Sequence, residues 1–479
     1  MPTLIDRTLS ENRGNPRVWM EGEKLAREGI QPGMKYNLIP DKTGITVKFT
    51  SDGGKYIVNK RTKRGTNLTQ PLIEIRDTLL WDIFPKGQKL RVVINKEEIN
   101  ITAHYMDKRV QERVESLVAA IKQGKRLRLG SAFHGGGGLD KATHCGLGLA
   151  GVKSKIAVAI EKEAKYLDSS LRNNKSLFDS RSVIIESPIQ DLNFGYGSKP
   201  FSCHGVLMGI PYEGSSQAGR SKNGHWGNSQ GGHAESHAEV GSMFFNALEF
   251  IRSCNPSFVV LENVEAYSHS ASADIIRSVL TSWKYKFTEV TLTGTDFGSL
   301  EKRPRWALVA ITEGLEEYGY NLADLDLTNI PALREKPENL SAIMEDVPTD
   351  PENKIWKRAK YLEDKEKSDQ AAGKGFKRQL LTGLSEFCGT IGKSYAKIRS
   401  TEPMIMHPDY LSNKLIRLFT AKEHCLLKGF PESFVSNNST TTAHEILGQS
   451  VIFYAFEALA FKIGKFFNKD HQIELPLAA

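Results

Sequence analysis

The pattern of hydrophobic and polar positions changes at about residue 126. Over residues 15–102, short runs of β-branched side chains alternate with polar ones between glycine- and proline-containing turns, which predicts β-strands. Residues 108–124 carry apolar side chains at helical spacing and end at Gly124, which predicts a helix. We therefore expect a β-rich N-terminal domain over residues 1–105 and a linker helix over 106–125.

From Arg126 onward, short apolar strands alternate with amphipathic helices. This alternation is typical of an α/β fold with a doubly wound parallel sheet, in which helices cover both faces. We expect such a Rossmann-like domain over residues 126–324 and a smaller, more irregular charged region over 325–412. Residues 413–479 are expected to complete the Rossmann-like domain. The predicted strands are RLRLGSAF, KIAVAIE, SVIIES, CHGVLMGI, SFVVLEN and RWALVAI. The helix in SVIFYAFEALAFKIGKFF is apolar nearly all round and should be buried.

The distribution of charge distinguishes the two parts. The net charge is +8, whereas residues 1–130 hold 25 Lys/Arg and 15 Asp/Glu, a balance of +10, which leaves −2 for the rest. A basic excess at one end favours a polyanionic partner, most often nucleic acid. A basic surface that serves only solubility stays open as the alternative.

Cysteine usage and apolar runs exclude several classes of protein. The 5 cysteines are scattered without C-x-x-C spacing, which argues against a disulfide scaffold or a cysteine-rich zinc module and suits a reducing cytoplasm. No apolar run approaches the roughly 18 residues of a membrane-spanning helix, and the N-terminus lacks the apolar stretch of a signal peptide. We expect a cytoplasmic protein with no membrane partner and no metal site.

A glycine-rich loop, FHGGGG at residues 133–138, follows a predicted strand and opens a helix. Its glycines allow a tight turn and a close approach of ligand to backbone. The next predicted strand ends in Glu161, about 20 residues further on, where a carboxylate suits a ribose diol. Alone, this loop is a weak indication of a nucleotide-like ligand.

Further motifs follow in an order that is informative. Together they resemble the DNA cytosine-C5 methyltransferase family over about residues 127–467. The segments that match the family's motifs are SAFHGGGGLD, LENV, TDFGSLEKRPRWALVAI, RLFTAKEHCLLKGFPESF and GQSV. The resemblance implies S-adenosylmethionine as cofactor, double-stranded DNA as partner, base flipping, a target-recognition region at 325–412, and a bacterial or phage-like enzyme of the restriction–modification type. It leaves the oligomeric state open. The cofactor-binding residues that it implies are Phe133, Gly135, Gly137, Gly138, Glu161, Gly209, Ser450 and Val451.

The chain departs from the family at the catalytic motif. The family's Pro-Cys dipeptide provides a thiolate that attacks C6 of the flipped cytosine, but this chain has Pro211-Tyr212-Glu213. A phenol with a pKa of about 10 is a poor substitute for that thiolate. Cys203 lies too far upstream, roughly 30 Å along an extended strand at about 3.3 Å per residue. Cys254 is expected in the core.

The replacement resembles, in degenerate form, the [DNS]-P-P-[YF] motif of DNA amino-methyltransferases. That resemblance implies methyl transfer to N4 of cytosine or N6 of adenine, with Tyr212 stacked on the extruded base and Glu213 or Glu262 accepting the amino hydrogens together with a backbone carbonyl of Gly209 or Ile210. A catalytically silent DNA-binding relative and another cytosine-modifying chemistry stay open. The candidate catalytic residues are Pro211, Tyr212, Glu213, Glu262, Asn263 and Arg305.

Smaller departures bear on the target base and on DNA contacts. Glu301 replaces the usual Gln of Q-x-R-x-R, and Ser187-Pro188-Ile189 stands where the family has Gly-Asp-Ile, so the resemblance does not carry over the Asp that faces the cofactor adenine. The resemblance implies that Arg305 reaches O2 of cytosine, although an ion pair with Glu262 is an equal alternative. The expected DNA contacts are Arg220 and Lys222 in a long loop at 217–241, and Arg303. The N-terminal segment weakly resembles AbrB/SymE-type β-hairpin modules, and an unrelated β-domain that adds DNA contacts is the alternative.

Overall fold

The computed structural model describes residues 2–62, 65, 67–195, 201–211, 235 and 240–469. The chain forms two compact units, Met1–Glu112 and Arg113–Ala479. This division falls inside the predicted linker helix, which is present as α3 (Tyr105–Lys122). The finer domain boundaries at residues 324 and 412 stay predictions.

The first unit is β-rich, as predicted, and its strands pair antiparallel. A six-stranded sheet has the order β1-β9-β10-β5-β4-β6, and a four-stranded sheet has the order β2-β3-β8-β7. Alternating side chains such as Val18 and Met20 point into one core, whereas their neighbours remain partly exposed, so the period of two seen in the sequence is the period of burial. The strands are β1 (Thr3–Thr8), β2 (Ser10–Asn12), β3 (Asn15–Glu21), β4 (Lys35–Pro40), β5 (Gly44–Thr50), β6 (Tyr56–Ile57), β7 (Asn59–Thr62), β8 (Thr69–Ile75), β9 (Lys89–Ile94) and β10 (Glu98–Ala103), and the short helices are α1 (Glu23–Ala26) and α2 (Leu79–Ile83).

The second unit is built on a seven-stranded sheet with helices on its flanks. The strands are β11 (Leu127–Ala132), β12 (Ser154–Glu161), β13 (Val183–Glu186), β14 (Gly205–Gly209), β15 (Phe258–Asn263), β16 (Tyr285–Thr293) and β17 (Pro304–Thr312), in the order β13-β12-β11-β14-β15-β17-β16. The helices are α4 (Gly138–Leu149), α5 (Ala164–Asn173), α6 (Met243–Cys254) and α7 (Ala271–Ser282). The predicted α/β, Rossmann-like fold is confirmed.

The sheet is mixed rather than wholly parallel. Strands β11 to β15 are parallel, whereas β17 pairs antiparallel with both β15 and β16. The sequence reading did not mark β16, because its YKFTEVTLT pattern is only partly buried and lacks the continuous apolar run of a central strand. The expectation that RWALVAI runs parallel to the other strands is therefore wrong.

The strand order creates a crevice beside β11. The chain leaves β11 toward β12 and β13 on one side and returns to β14 on the other, so the order reverses between β11 and β14. Ligands of open α/β sheets bind at this reversal, outside the carboxyl ends of the strands. The glycine-rich loop after β11, Pro211 after β14 and Val264 after β15 all lie at these ends.

The remaining elements form a small lobe and a helical C-terminal part. The lobe holds α8 (Lys360–Ala371), α9 (Tyr410–Asn413) and a three-stranded sheet of β18 (Gln379–Leu381), β19 (Pro403–Met406) and β20 (Ile416–Arg417). It is followed by α10 (Ala421–Leu427), α11 (Thr440–Gln449) and α12 (Phe453–Phe467). Helix α12 is buried, as predicted, and packs on α4 so closely that a Cβ at Gly146 would lie 2.8 Å from Cβ of Ala460.

Across the described part of the chain, no individual helix has the length and apolar composition needed to cross a membrane. The pair α11 and α12 meets that criterion only when the two are joined, and they are bent by 44° at the break.

Candidate active site

The loop after β11 has a backbone shape that depends on glycine. The φ angles of Gly135 and Gly137 are +55° and +78°, in the left-handed region that side chains other than glycine rarely adopt. A Cβ on Gly137 would lie 2.6 Å from Oγ of Ser170, so this position is closed to any larger residue. A Cβ on Gly135 would meet nothing within 4 Å, which leaves its backbone open to a ligand. Gly137 also caps α4, so the loop presents a helix N-terminus to the crevice.

His134 supports this loop from behind, a role that the sequence reading missed. Its ring is buried, with Nδ1 2.9 Å from Oδ2 of Asp140 and 3.0 Å from Oγ of Ser131. Its Nε2 lies 2.8 Å from Oγ of Ser170. These contacts join the loop to β11, α4 and α5. The only sequence signal was the position of His134 inside the glycine motif.

Glu161 lies beside the loop, as predicted for a ribose-binding carboxylate. One oxygen accepts the backbone N–H of Gly135 at 2.7 Å and the other accepts that of Glu163 at 2.9 Å. Both oxygens are thereby oriented, and each keeps a lone pair for a hydroxyl donor. The carboxylate and the open face of Gly135 are therefore adjacent, as a nucleoside-like ligand requires.

The C-terminal part of the chain closes the other side of the loop. A Cβ on Gly138 would lie 2.9 Å from Oγ of Ser450 and 3.1 Å from Cζ of Phe430. Val451 is buried next to Ser450. We call residues 133–138, Glu161, Ser450 and Val451 the cofactor half of the site. Their geometry fits S-adenosylmethionine, because an open glycine backbone, a helix N-terminus and an oriented carboxylate converge.

A second group of predicted residues lies at the ends of β14, β15 and β17. Nε of Arg305 is 3.1 Å from Oε1 of Glu262, so the ion pair considered for Arg305 is present. Asn263 donates from Nδ2 to the carbonyl of Ile210 at 2.9 Å, which holds the chain just before Pro211. We call Pro211, Glu262, Asn263 and Arg305 the base half.

Gly209 belongs with this base half in the structure. The site that its Cβ would occupy is 3.0 Å from Oε2 of Glu262, on the neighbouring strand. The absence of a side chain at Gly209 therefore makes room for the Glu262 carboxylate. Its predicted part in cofactor binding stays a prediction.

Burial dominates the electrostatics of the base half. It raises the pKa of Glu262, against the opposing effect of Arg305, Arg303 and Lys428. Burial, and after it Arg303, lower the pKa of Arg305 to about 9 against the opposing effect of Glu262 and Glu301. A guanidinium with that pKa remains charged at neutral pH, so Glu262 retains a cationic neighbour.

Several predicted residues lie outside the described residues. These are Tyr212, Glu213, Arg220 and Lys222, together with most of the loop at 217–241. Pro211 is described and borders a small pocket with Ile210, Val240, Phe244 and Tyr267.

The structure corrects the DNA-contact prediction for Arg303. Its side chain is buried, and its guanidinium donates to the carbonyl of Ile391 at 2.8 Å and to that of Gly448 at 2.9 Å. A group engaged in this way is not available to a phosphate. The R-x-R spacing alone could not show that Arg303 is engaged by Ile391 and Gly448 whereas Arg305 pairs with Glu262.

Behind the base half lies a buried ion pair that the sequence reading did not foresee. Nζ of Lys428 is 2.7 Å from Oε2 of Glu301, and both side chains are 0% exposed. Burial, and after it Arg303, lower the pKa of Lys428 to about 7 against the opposing effect of Glu301. Glu301 stands where the family has Gln, but no sequence pattern connects it with Lys428.

All five cysteines are described, and their positions bear on the chemistry. Cys254 is buried in the core on the α6 side of the sheet, as expected. Cys203 is buried there too, and it precedes β14 at the end opposite the crevice. Burial raises the pKa of the thiols of Cys145 and Cys388 and raises that of Cys425 to about 12. No cysteine of the chain lies among the residues of the base half.

Comparison with known proteins agrees with this geometry. A family model described as C-5 cytosine-specific DNA methylase matches residues 128–465. The chain is 26% identical over 270 residues to Type II methyltransferase M.DsaV of Dactylococcopsis salina, which covers 56% of this chain and 70% of that protein. It is 28% identical over 264 residues to Type II methyltransferase M.NlaX of Neisseria lactamica, covering 54% and 75%.

A solved structure supports the fold. The crystal structure of S. pombe Dnmt2 methyltransferase superimposes with a TM-score of 0.51 at 20% identity, covering 72% of this chain and 99% of that chain. The family resemblance drawn from the sequence motifs is confirmed.

Proposed function

This chain belongs to the C-5 cytosine-specific DNA methylase family, and we propose that it methylates an exocyclic amino nitrogen of a DNA base rather than C5. As a member of that family it is a methyltransferase that uses S-adenosylmethionine as methyl donor. The nature of the acceptor atom is the new part of the proposal. It rests on one replacement in the base half: Tyr212 stands where the family has its catalytic cysteine, whereas LENV, R-x-R and the glycine-rich loop keep the family pattern.

The cofactor half provides what the methyl donor needs. When bound, S-adenosylmethionine supplies an electrophilic methyl group on a positively charged sulfur. Gly135 leaves its backbone open, Glu161 is oriented toward a ribose diol, and Ser450 closes the opposite side. These residues bind and orient the donor, and the buried position of the loop excludes water from it.

The single observation that carries the proposal is the missing thiol. C5 chemistry needs a nucleophile that adds to C6 of cytosine, because C5 itself is not nucleophilic enough. Tyr212 follows Pro211 where the family has cysteine, and the chain's five cysteines are all elsewhere. An amino nitrogen needs no such adduct, since its own lone pair attacks the methyl group.

Glu262 supports this chemistry from the described part of the site. Arg305 holds its carboxylate at 3.1 Å, and Gly209 leaves space beside it. We propose that the carboxylate accepts a hydrogen bond from the amino group and so directs the nitrogen lone pair toward the methyl carbon. A nitrogen–carbon bond forms, the carbon–sulfur bond breaks with its electrons leaving on sulfur, and the released proton passes to Glu262.

Tyr212 is proposed to stack on the extruded base, with Pro211 setting the approach of the chain. Asn263 fixes this segment through the carbonyl of Ile210. The carbonyl of Ile210 is therefore already engaged by Asn263, which makes Glu262 or Glu213 the better acceptor. N4 of cytosine and N6 of adenine both satisfy these contacts, and product analysis separates them.

Double-stranded DNA is the proposed substrate, and the basic first unit is proposed to add phosphate contacts. The first unit, residues 1–112, holds 20 Lys/Arg and 14 Asp/Glu, a balance of +6, which suits a polyanion. The relatives named above are Type II methyltransferases, and we propose a comparable DNA-modifying role in the cytoplasm. A catalytically silent DNA-binding protein is the rival, because the missing thiol would also disable a C5 enzyme.

Mass spectrometry of nucleosides tests the proposal. DNA from a host that expresses the chain is digested and compared with DNA from a host that expresses Gly137→Val, which is designed to lose the cofactor. We expect N4-methylcytosine or N6-methyladenine with the parent alone, and single-molecule sequencing of the same DNA then gives the site. Finding 5-methylcytosine contradicts amino transfer, and finding no modified base favours the silent binder.

A covalent-trapping assay provides an independent check. Duplex DNA containing 5-fluorocytosine captures enzymes that form a thiol adduct at C6. We expect no trapped complex with this chain, because Tyr212 offers no thiol. A complex that survives denaturing electrophoresis would show that the C5 route operates here.

A further inference from the structure

Residues 391–393, which we call the docking segment, lie directly on the end of helix α11. A Cβ placed on Gly448 would overlap the carbonyl oxygen of Gly392 and lie 2.6 Å from the backbone nitrogen of Lys393. Backbone thus meets backbone with no side chain between. The docking segment belongs to the region predicted to recognise the target sequence, whereas Gly448 is two residues before Ser450 of the cofactor half.

Four polar contacts hold the docking segment in place. The Arg303 guanidinium bridges the two partners, donating to the carbonyls of Ile391 at 2.8 Å and Gly448 at 2.9 Å. The backbone N–H of Ile391 donates to Oε1 of Glu301 at 3.0 Å, and that of Gly392 donates to Oε2 of Glu402 at 3.1 Å. Consecutive amide protons of the segment are therefore held by two different carboxylates.

The groups that make these contacts are withdrawn from water. Glu301 and Lys428 are 0% exposed, Arg303 is 4% exposed and Glu402 is 5% exposed. Burying charges is costly and often adds little stability, and the best supported reason for keeping them is to specify one arrangement. Nζ of Lys428 lies 2.7 Å from Oε2 of Glu301, so the carboxylate that accepts from Ile391 is itself held from its other oxygen.

The same cluster extends to the base half. Arg303 directly precedes β17, which carries Arg305, and Arg305 is paired with Glu262. On the other side, Ser450 lies against Gly138 of the glycine-rich loop. One buried group of charges therefore contacts the recognition region at Ile391 and Gly392, holds Gly448 two residues before Ser450, and stands two residues before Arg305 of the base half.

We propose that the docking segment couples cofactor binding to the recognition region, with Arg303, Glu301 and Lys428 as positioning residues. Cofactor binding restricts the motion of residues 448–451. The contacts of Gly448 and Arg303 with the docking segment then restrict the motion of Ile391 and Gly392. The recognition region is thereby held in one arrangement when the donor is present. This inference relies on the proposed function for the assignment of residues 325–412 to DNA recognition, but not on the acceptor atom.

Amide hydrogen exchange tests the coupling with S-adenosylmethionine as the only probe and without DNA. On the full chain, we expect the cofactor to slow exchange at residues 133–138 and 450–451, and also, by roughly tenfold, at Ile391 and Gly392. Fragments covering residues 386–402 report the second effect. No slowing in those fragments, while residues 133–138 are protected, would overturn the proposal, and so would protection at neither place.

A matched pair of glycine variants tests the route. In Gly448→Ala the new methyl group collides with the backbone of Gly392, whereas in Gly148→Ala, also within a helix, it meets nothing within 4 Å. We expect Gly448→Ala to retain cofactor protection of residues 133–138 and to lose it at residues 386–402, and Gly148→Ala to keep both. If Gly448→Ala keeps both as well, the segment is not the route.

Arg303→Lys provides a second variant in case Gly448→Ala does not fold. It keeps the positive charge, but one ammonium group cannot reproduce the two directed contacts of the guanidinium. We expect the same loss at residues 386–402, and retention of the protection would contradict the positioning role. Exchange is measured without methyl transfer, so a wrong acceptor atom would leave these results unchanged.

Discussion

The cofactor half and the base half of the active site recognise their ligands by different means. The cofactor half works through backbone shape, with left-handed glycines and Cβ positions that are either closed, as at Gly137, or open, as at Gly135. The base half works through buried charges, with Glu262 and Arg305 in front of Glu301. Backbone shape tolerates little change, whereas a set of charges can be exchanged while the fold persists.

This difference bears on why the catalytic cysteine could be replaced while the glycine-rich loop was kept. The methyl donor is the same whichever atom receives the methyl group, so the loop that binds it has one solution. The acceptor atom decides which nucleophile and which hydrogen-bond acceptor are needed. Tyr212 and Glu301 depart from the family on the acceptor side, and Ser187-Pro188 departs from it on the cofactor side.

The largest effect is expected in the cofactor half. Gly137→Val should lower the affinity for S-adenosylmethionine by at least about 100-fold, since even a Cβ collides with Ser170 and the φ of +78° strains a β-branched residue. Titration calorimetry measures the change, with Gly148→Ala as the control that should bind like the parent. Equal binding by Gly137→Val would remove the loop from the cofactor site.

A smaller but still large effect is expected at Tyr212. Stacking of a base on an aromatic ring contributes about 1–3 kcal/mol, so Tyr212→Ala should lose most of the activity and Tyr212→Phe should keep much of it. The rate of methyl transfer to DNA that carries the target sequence measures the activity of both variants. Tyr212→Cys should not produce 5-methylcytosine, because one thiol does not rebuild the rest of the C5 pocket. If Tyr212→Phe is as inactive as Tyr212→Ala, the hydroxyl rather than the ring carries the role.

Glu262→Gln should reduce kcat by about 10- to 100-fold, because an amide can accept one hydrogen bond but not the proton. The pH profile sharpens the test. Burial raises the pKa of Glu262, so the carboxylate ionises at a higher pH than an exposed glutamate, and activity should rise with pH through that raised pKa. In Glu262→Gln this acidic limb should be absent. An unchanged limb would assign it to a different group.

The smallest expected effect concerns the contribution of the buried Lys428–Glu301 pair to the free energy of unfolding. Lys428 has a pKa of about 7 when folded and an ordinary value near 10.5 when unfolded, so between these values the unfolded chain binds the extra proton. The free energy of unfolding should therefore rise with pH across that window, by roughly 1 kcal/mol per pH unit. Lys428→Met should lose this rise.

Urea unfolding at pH 7 and pH 9 measures the difference for Lys428. The exposed residue Lys175 provides the control, and Lys175→Met should show the same change with pH as the parent. A parallel pH dependence in the parent and in Lys428→Met would mean that Lys428 keeps its proton in the folded protein. The backbone-built cofactor half should be insensitive to this change.

Features of the cofactor half were determined by the sequence alone because they are local. A glycine-rich run after an apolar strand specifies a turn and a helix start within a few residues, and a carboxylate at the end of the next strand falls beside it. The contact between Gly135 and Glu161 follows from adjacent parallel strands. The burial of α12 was equally readable, because its apolar residues surround the whole helix.

The tertiary structure alone decided the partners of the charged groups. Lys428 contacts Glu301 only because the C-terminal helices pack back on the Rossmann-like domain, and no local sequence pattern encodes that pairing. The direction of Arg303, the support of the loop by His134 and the antiparallel insertion of β17 were likewise beyond the motifs. The periodicity of apolar residues indicates which face of a helix or strand is buried. The pairing of buried charges depends instead on contacts between residues far apart in the sequence, which only the tertiary structure defines.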